Sequence, residues 1–219
     1  SEESAIPRPI FDVLSLRRRL LETQARLEET EQRYTDIKDS FSRYVSTEVV
    51  DAIAKEPGKV KLGGEEREVT VLFADIESYS TLAEAMSPTE VIGFLNDYFE
   101  EMTAVILEEK GMINEFEGDG ILAIFGAPLN LDGHASHALR AARKMLGRVE
   151  MINQRWEESG ELARWRSAGV ESLRIRIGLH SGTVVSGNVG STLRMKYAVI
   201  GDTVNVAARV EALNKTLGT

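Results

Sequence analysis

Two aspartates stand where a carboxylate could hold a metal ion. Asp75 ends an apolar run that begins at residue 69, and Asp119 lies in a turn between two further apolar runs. If the strands predicted from these runs are neighbours, both carboxylates converge at one edge of a sheet. Mg²⁺ typically takes one or two carboxylates together with phosphate oxygens, so this pair predicts a site for hard divalent cations.

Each aspartate also has a structural interpretation. Asp119 is flanked by glycines, and Gly-Asp-Gly favours turns whether or not a metal binds. Asp75 follows the apolar residues Val71–Ala74, where a carboxylate is costly to bury without a partner. Two cations about 3.5–4 Å apart could activate an attacking oxygen and neutralise a leaving pyrophosphate.

The elements that must position these residues alternate between strand-like and helix-like stretches. Residues 69–76 are apolar on both faces, as in a central strand, and residues 112–128 predict two strands around a tight turn. Residues 173–190 predict another strand pair, and 195–201 a further strand. The predicted helices begin at Ser87 and stop at Gly111, cover about 134–158, and run from Asp202 to the end. We therefore predict an α+β fold, ferredoxin-like (βαββαβ-type), with a sheet of mixed strand directions and flanking helices.

The N-terminal region, residues 1–55, predicts a helix that forms a parallel coiled coil. Between residues 11 and 55 there is no glycine or proline, and apolar residues alternate at spacings of three and four. A single amphipathic helix packed on its own domain is the alternative. Residues 56–68 are rich in turn formers and predict a linker, which leaves 69–219 as the second domain. The seam of the coil is Val13, Leu16, Leu20, Thr23, Leu27, Thr30, Tyr34, Ile37, Phe41 and Tyr44.

Composition bounds the partners and the compartment. The 219 residues carry a formal net charge of -9, which argues against nucleic acid as a partner. There is no cysteine, which fits a reducing cytoplasm. No apolar run approaches the roughly 18 residues of a membrane span. The first residues do not form a signal peptide and predict a cut inside a longer protein with an upstream sensor or membrane domain.

Three stretches of the sequence resemble one family. "VTVLFADIESYSTLAE", "INEFEGDGILAIFGAP" and "YAVIGDTVNVAARVEAL" are similar, in order and spacing, to the catalytic domain of class III adenylyl and guanylyl cyclases. The resemblance runs from about Ser40 to the end, and residues 41–53 resemble the short helical transducer of many bacterial members. It implies closure of a nucleoside triphosphate to a 3′,5′-cyclic monophosphate, with pyrophosphate released and two divalent cations, Mg²⁺ or Mn²⁺, as cofactors.

The resemblance also implies residue roles. Asp75 and Asp119 match the metal-binding aspartates, and the backbone carbonyl of Ile76 matches a further metal ligand. Asn205 and Arg209 match the pair that positions the ribose and stabilises charge on the transferring phosphoryl group. In the family, these two sets come from different subunits, which implies a head-to-tail homodimer. The stretch that matches the phosphate-binding loop is Glu77, Ser78, Tyr79 and Ser80.

Two positions bear on the choice of base. Adenylyl cyclases carry a lysine four residues before the second metal aspartate, where this chain has Glu115, and aspartate or threonine where it has Ala198. Guanylyl cyclases resemble this chain at both positions. A carboxylate accepts hydrogen bonds from N1–H and the N2 amino group of guanine, but it would face the N1 lone pair of adenine. An ordinary solvent-facing strand residue is the alternative for Glu115.

The sequence therefore predicts a homodimeric cyclase that converts GTP to cyclic GMP. Synthesis of cyclic AMP from ATP is the alternative. A catalytically weak dimerisation module is the further alternative, because family domains continue beyond the point where this chain stops, and the catalytic domain is predicted to be truncated.

Overall fold

The structure is a computed structural model that describes residues 8–41, 50, 61–191 and 193–218. The chain divides into two units, Ser1–Asp51 and Ala52–Thr219. Most of the predicted transducer, residues 41–53, lies outside the described residues.

The first unit contains one long helix. Helix α1 spans Arg8–Phe41, which confirms the predicted helix over its described part. Leu16 and Leu20 of the predicted seam are 62% and 58% exposed. The hydroxyls of Thr23 and Thr30 each donate to a carbonyl of the preceding turn, so these two polar seam residues present no unsatisfied hydroxyl group. Nothing in the described part of this unit covers the apolar stripe.

The second unit is built on a five-stranded sheet of order β2-β3-β1-β4-β5. All four strand pairings are antiparallel. The predicted α+β class is confirmed, but the described pairings do not mix strand directions. The two helical crossovers, from β1 to β2 and from β3 to β4, each skip one strand, so the strands that they join are parallel but not paired with each other. The strands are β1 Gly63–Ile76, β2 Met112–Glu117, β3 Gly120–Phe125, β4 Ile175–Ser191 and β5 Arg194–Ile200.

Strand β1 is longer than predicted. It begins at Gly63 rather than at residue 69, so the last six residues of the predicted linker lie in the sheet. The strand pair predicted over 173–190 is wrong, because this stretch forms the single strand β4. Fourteen residues of β1 pair in continuous register with β4. This long ladder includes Gly63 and Gly64, which the sequence had placed in the linker, and keeps them extended.

The described residues of this unit contain five helices. The capping box predicted at Ser87 and Glu90 is present, and the helix that it starts ends three residues before Gly111. The helix predicted over 134–158 and the helix predicted from Asp202 are confirmed, whereas the short helix Glu161–Ser167 had no predicted counterpart. The helices are α2 Tyr79–Glu84, α3 Pro88–Glu108, α4 His134–Ser159, α5 Glu161–Ser167 and α6 Asp202–Leu217.

The sheet is covered on both faces, as the apolar character of β1 predicted. Leu72 and Ala74 face the core shared with α3, α4 and α5. Val69 and Val71 face the opposite core, to which β5 and α6 contribute. No described helix is both long enough and apolar enough to cross a membrane.

Candidate active site

The end of β1 and the tip of the β2–β3 hairpin bring Asp75 and Asp119 together. Asp75 is the last residue but one of β1, and Asp119 lies in the two-residue loop after β2. Gly118, with φ of +65°, supplies the left-handed conformation that this loop needs. Because β3 pairs with β1, the loop lies beside the end of β1, where the backbone N–H of Ile76 donates to Asp119 Oδ2 at 3.1 Å.

The two carboxylates perturb each other. Burial, followed by the hydrogen bond to Asp75 and the charge of Asp75, raises the pKa of Asp119 to about 7. Tyr98 lies below them in the core, and burial together with the charges of Asp119 and Asp75 raises its pKa well above the ordinary value. The pair therefore has an excess of negative charge that a bound cation would relieve.

Arg176 is the cation closest to this pair among the described residues. It stands opposite Asp75 in the β1–β4 register, and its Nη2 donates to Asp75 Oδ2 at 2.6 Å. Its Nε also lies 3.0 Å from Oε1 of Glu211, with no hydrogen-bond geometry. Burial raises the pKa of Glu211, the charge of Arg176 lowers it and that of Asp75 raises it. Sequence reasoning missed Arg176 and Glu211, although charged residues alternating with apolar ones in "LRIRIGL" were a visible signal.

A cleft of about 330 Å³, here called the acid cleft, contains both aspartates. The backbone turns at Ser78, whose φ is 58°, and α2 begins at the next residue. Glu77 is held by Arg174, with 3.2 Å between Oε2 and Nε. The whole predicted phosphate-binding stretch lines the same cleft, and so do three cationic residues that no sequence motif singled out: Arg174, Arg176 and Lys215.

Asn205 and Arg209 lie outside the acid cleft. Both are exposed on the first half of α6, and Arg209 donates to the Asn205 carbonyl and to Asp202. The acid cleft is reached by the far end of the same helix, at Lys215. Asn205 lies ten residues and Arg209 six residues before Lys215, about 15 and 9 Å along the helix, and neither lines the acid cleft of its own chain.

Glu115 projects from the sheet face opposite to α3. Ile113 pairs with Ala123, but Glu115 pairs with Leu122, so Asn114 forms a β-bulge. The bulge shifts Glu115 to the face of Leu122, which belongs to the core shared with β5 and α6.

On that face Glu115 meets a cation that sequence reasoning missed. Lys196 Nζ donates to Glu115 Oε2 at 2.6 Å. Lys196 and Ala198 lie two residues apart on β5, so their side chains share one face of that strand. Glu115 therefore contacts a lysine that lies on the same face of β5 as Ala198, the second predicted base-selecting residue.

Comparison with known proteins identifies the family. Residues 64–217 match the family described as the adenylate and guanylate cyclase catalytic domain. The chain belongs to this family. With its α+β fold it is a nucleotidyl cyclase catalytic domain.

Individual relatives carry both names. "Adenylate cyclase 1" of Rhizobium meliloti (strain 1021) is 39% identical over 153 residues, 70% of this chain and 22% of the relative. "Adenylate cyclase" of Anabaena cylindrica is 39% identical over 182 residues, 82% of this chain and 34% of the relative. The crystal structure of the guanylyl cyclase Cya2 superposes with a TM-score of 0.60 at 36% identity, covering 69% of this chain and 72% of that one. The chain thus spans about a fifth to a third of these two curated relatives.

Proposed function

We propose that this domain converts GTP to cyclic GMP and pyrophosphate at sites shared between two copies of the chain. The observation that carries the proposal is the convergence of Asp75 and Asp119 in a cleft lined by the phosphate-binding stretch, residues 77–80. Family membership gives the reaction class, and the residues around Glu115 favour guanine.

The residues present fit two divalent cations. The acid cleft offers two carboxylates, one of them with its pKa raised by burial and by its neighbour, and the backbone carbonyl of Ile76. Hard cations prefer such oxygen ligands, and Mg²⁺ or Mn²⁺ leaves further coordination positions for phosphate oxygens. When bound, the cations would supply charge neutralisation of the attacking oxygen and the leaving pyrophosphate.

The chain's own residues would do the rest of the positioning. Residues 77–80 border the space for the phosphates, and Lys215 adds a cationic side chain at the same cleft. Asn205 and Arg209 of a second copy would hold the ribose and place a guanidinium against the transferring phosphoryl group. The distance between these residues and the aspartates within one chain supports this arrangement.

The Glu115–Lys196 pair supports guanine as the base. The Glu115 carboxylate would accept hydrogen bonds from N1–H and the N2 amino group, while the Lys196 ammonium would donate to O6 on the same edge. Ala198 leaves room beside them. A site that forms such bonds disfavours a base that leaves these polar groups unpaired.

ATP is the second candidate substrate. Two relatives at 39% identity are named adenylate cyclases, and the Lys196 ammonium could also donate to N1 of adenine. Adenine would then present its N6 amino group to Glu115, so this pair alone does not exclude it.

The proposed dimer has two parts. The exposed seam of α1 would pair with a second copy as a parallel coiled coil, and the catalytic domains would associate head to tail. The substrate is a cytoplasmic metabolite, which fits a cytoplasmic location, and the parent protein would carry the sensor or membrane domain. A catalytically weak dimerisation module is the remaining alternative, and the presence of Asp75, Asp119, Asn205 and Arg209 argues against it.

A competition assay tests the substrate. With equal GTP and ATP and either Mn²⁺ or Mg²⁺, we expect cyclic GMP to form at least about tenfold faster than cyclic AMP, the ratio given by one well-placed hydrogen bond. The double variant Glu115→Lys, Ala198→Asp should reverse the preference, and Glu117→Lys on the same strand is the matched control. Equal or reversed rates in the unaltered chain would exclude the guanine assignment, and no product from either nucleotide would exclude the cyclase.

A further inference from the structure

A second cleft, of about 390 Å³, lies among α3, α4 and α5. We call it the aromatic cleft. It shares no lining residue with the acid cleft, and its volume falls in the range of small-molecule sites, about 300–1,000 Å³. The lining residues that matter here are Phe94, Asp97, Tyr98, Trp156, Glu161 and Trp165.

Aromatic rings form much of its wall. The ring centroids of Phe94 and Trp156 lie 5.6 Å apart, and those of Trp156 and Trp165 lie 5.9 Å apart. The faces of such rings carry negative potential and attract cations as well as other rings. The guanidinium of Arg164 already lies over the Trp165 ring, with its Cζ 5.1 Å from the ring centroid, so the rings of Phe94 and Trp156 remain for a flat apolar body that carries a positive charge.

The charged residues at the cleft also favour a cationic ligand. Its two arginines already have carboxylate partners, since Arg164 lies 2.7 Å from Glu90 and Arg155 lies 2.9 Å from Glu101. Asp97 and Glu161 are exposed, and neither forms an ion pair with any residue that the structure describes, although the charge of Glu161 contributes, after the hydrogen bond to Glu90, to the raised pKa of Arg164. Two carboxylates thus remain for a cation from outside.

Two polar atoms in the wall lack partners. Among them, Trp165 Nε1 is buried and makes no hydrogen bond in the described structure. Trp165 is 5% exposed, whereas the Tyr98 hydroxyl, also without a partner, is influenced by Asp75 and Asp119 of the acid cleft. Buried donors without acceptors are rare in folded proteins, so an occupant with an oxygen acceptor would complete this wall.

We propose that the aromatic cleft binds a small aromatic amine that carries a ring oxygen. Its ring packs against Phe94 and Trp156, its ammonium group faces Asp97 and Glu161, and its oxygen accepts from Trp165. The proposal is independent of the cyclase activity and of the choice of nucleotide.

Tyramine is the probe that tests this site. The chain has two tryptophans, and both line the cleft, so intrinsic tryptophan fluorescence reports on it directly. We expect a saturable fluorescence change with tyramine, about tenfold weaker binding of phenethylamine, which lacks the oxygen, and no binding of 4-hydroxyphenylacetate, which carries a carboxylate instead of the amine.

Variants locate the binding. Asp97→Asn combined with Glu161→Gln alters two exposed side chains, so the fold should persist, and tyramine affinity should fall about tenfold or more. Glu100→Gln, exposed on the same helix α3 but outside the cleft, is the matched control and should bind tyramine unchanged. A non-saturable response, equal binding of 4-hydroxyphenylacetate, or unchanged affinity in the double variant overturns the proposal.

Discussion

At the scale of single residues, Asp119 keeps its proton to higher pH than an ordinary aspartate. Burial and the neighbouring Asp75 raise its pKa from 3.8 to about 7, while the backbone N–H of Ile76 partly compensates. Because the pKa is raised in the folded state, the folded chain binds more protons than the unfolded chain between about pH 4 and 7. Asp119 therefore makes the fold less stable as pH rises through this window.

The variant Asp119→Asn tests this dependence. In the absence of divalent cations, the unaltered chain should lose roughly 1–2 kcal/mol of stability between pH 4 and pH 7 relative to Asp119→Asn, a figure reduced because the side chain is partly exposed. Denaturant unfolding at several pH values measures it. Asp132→Asn, at an exposed aspartate, should leave the pH profile unchanged. If the free energy of unfolding depends on pH in the same way for the unaltered chain and for Asp119→Asn, the raised pKa of Asp119 is contradicted.

At the scale of elements, the contact between β4 and α6 depends on Gly178. A Cβ at this position would lie 2.3 Å from the backbone N of Glu211 and 2.4 Å from the carbonyl of Ala207, both in α6. Neither backbone atom can move without moving the helix. The absence of a side chain in β4 therefore sets how closely α6 approaches the sheet, and with it the position of Glu211 beside Arg176.

We predict that Gly178→Ala destabilises the domain by about 1–3 kcal/mol, because the added methyl group overpacks α6 against β4. Thermal unfolding followed by circular dichroism measures the loss. Gly147→Ala in α4 is the matched control, since a Cβ there meets nothing within 4 Å, and it should be neutral or stabilise the helix by about 0.5–1 kcal/mol. Equal melting temperatures for the two variants would show that α6 adjusts freely.

At the scale of the whole molecule, the two sets of predicted catalytic residues lie apart within one chain. Asp75 and Asp119 line the acid cleft. Asn205 and Arg209 are exposed on the first half of α6, whereas the cleft is lined by the last turns of that helix. If two copies associate head to tail, each site takes its aspartates from one copy and its Asn/Arg pair from the other.

Mixing two inactive variants tests this arrangement. Asp119→Ala and Arg209→Ala should each abolish activity alone, since each removes one half of both sites. Their mixture should recover about a quarter of the original activity, because half of the dimers are mixed and each mixed dimer retains one intact site. Cyclic nucleotide formation across mixing ratios measures the recovery. If activity appears in neither variant nor any mixture, the sites are not shared.

The sequence by itself determined the motif residues and those elements that local patterns signal. A strand apolar on both faces, a hairpin signalled by Gly-Asp-Gly and a capping box at Ser87 are local patterns, and the structure contains all three. Asp75 and Asp119 could be paired because adjoining strand ends necessarily meet at one edge of a sheet.

The tertiary structure alone decided which side chains meet across the sheet. The bulge at Asn114 places Glu115 on the face of Lys196, and an alternating strand pattern does not reveal such a bulge. The ion pair between Arg176 and Asp75 depends on the register of β1 with β4, which was not apparent while β4 was predicted as two strands. Local propensity follows from neighbours in the chain, whereas the bulge depends on how β2 pairs with β3, and the two ion pairs join residues 81 and 101 positions apart.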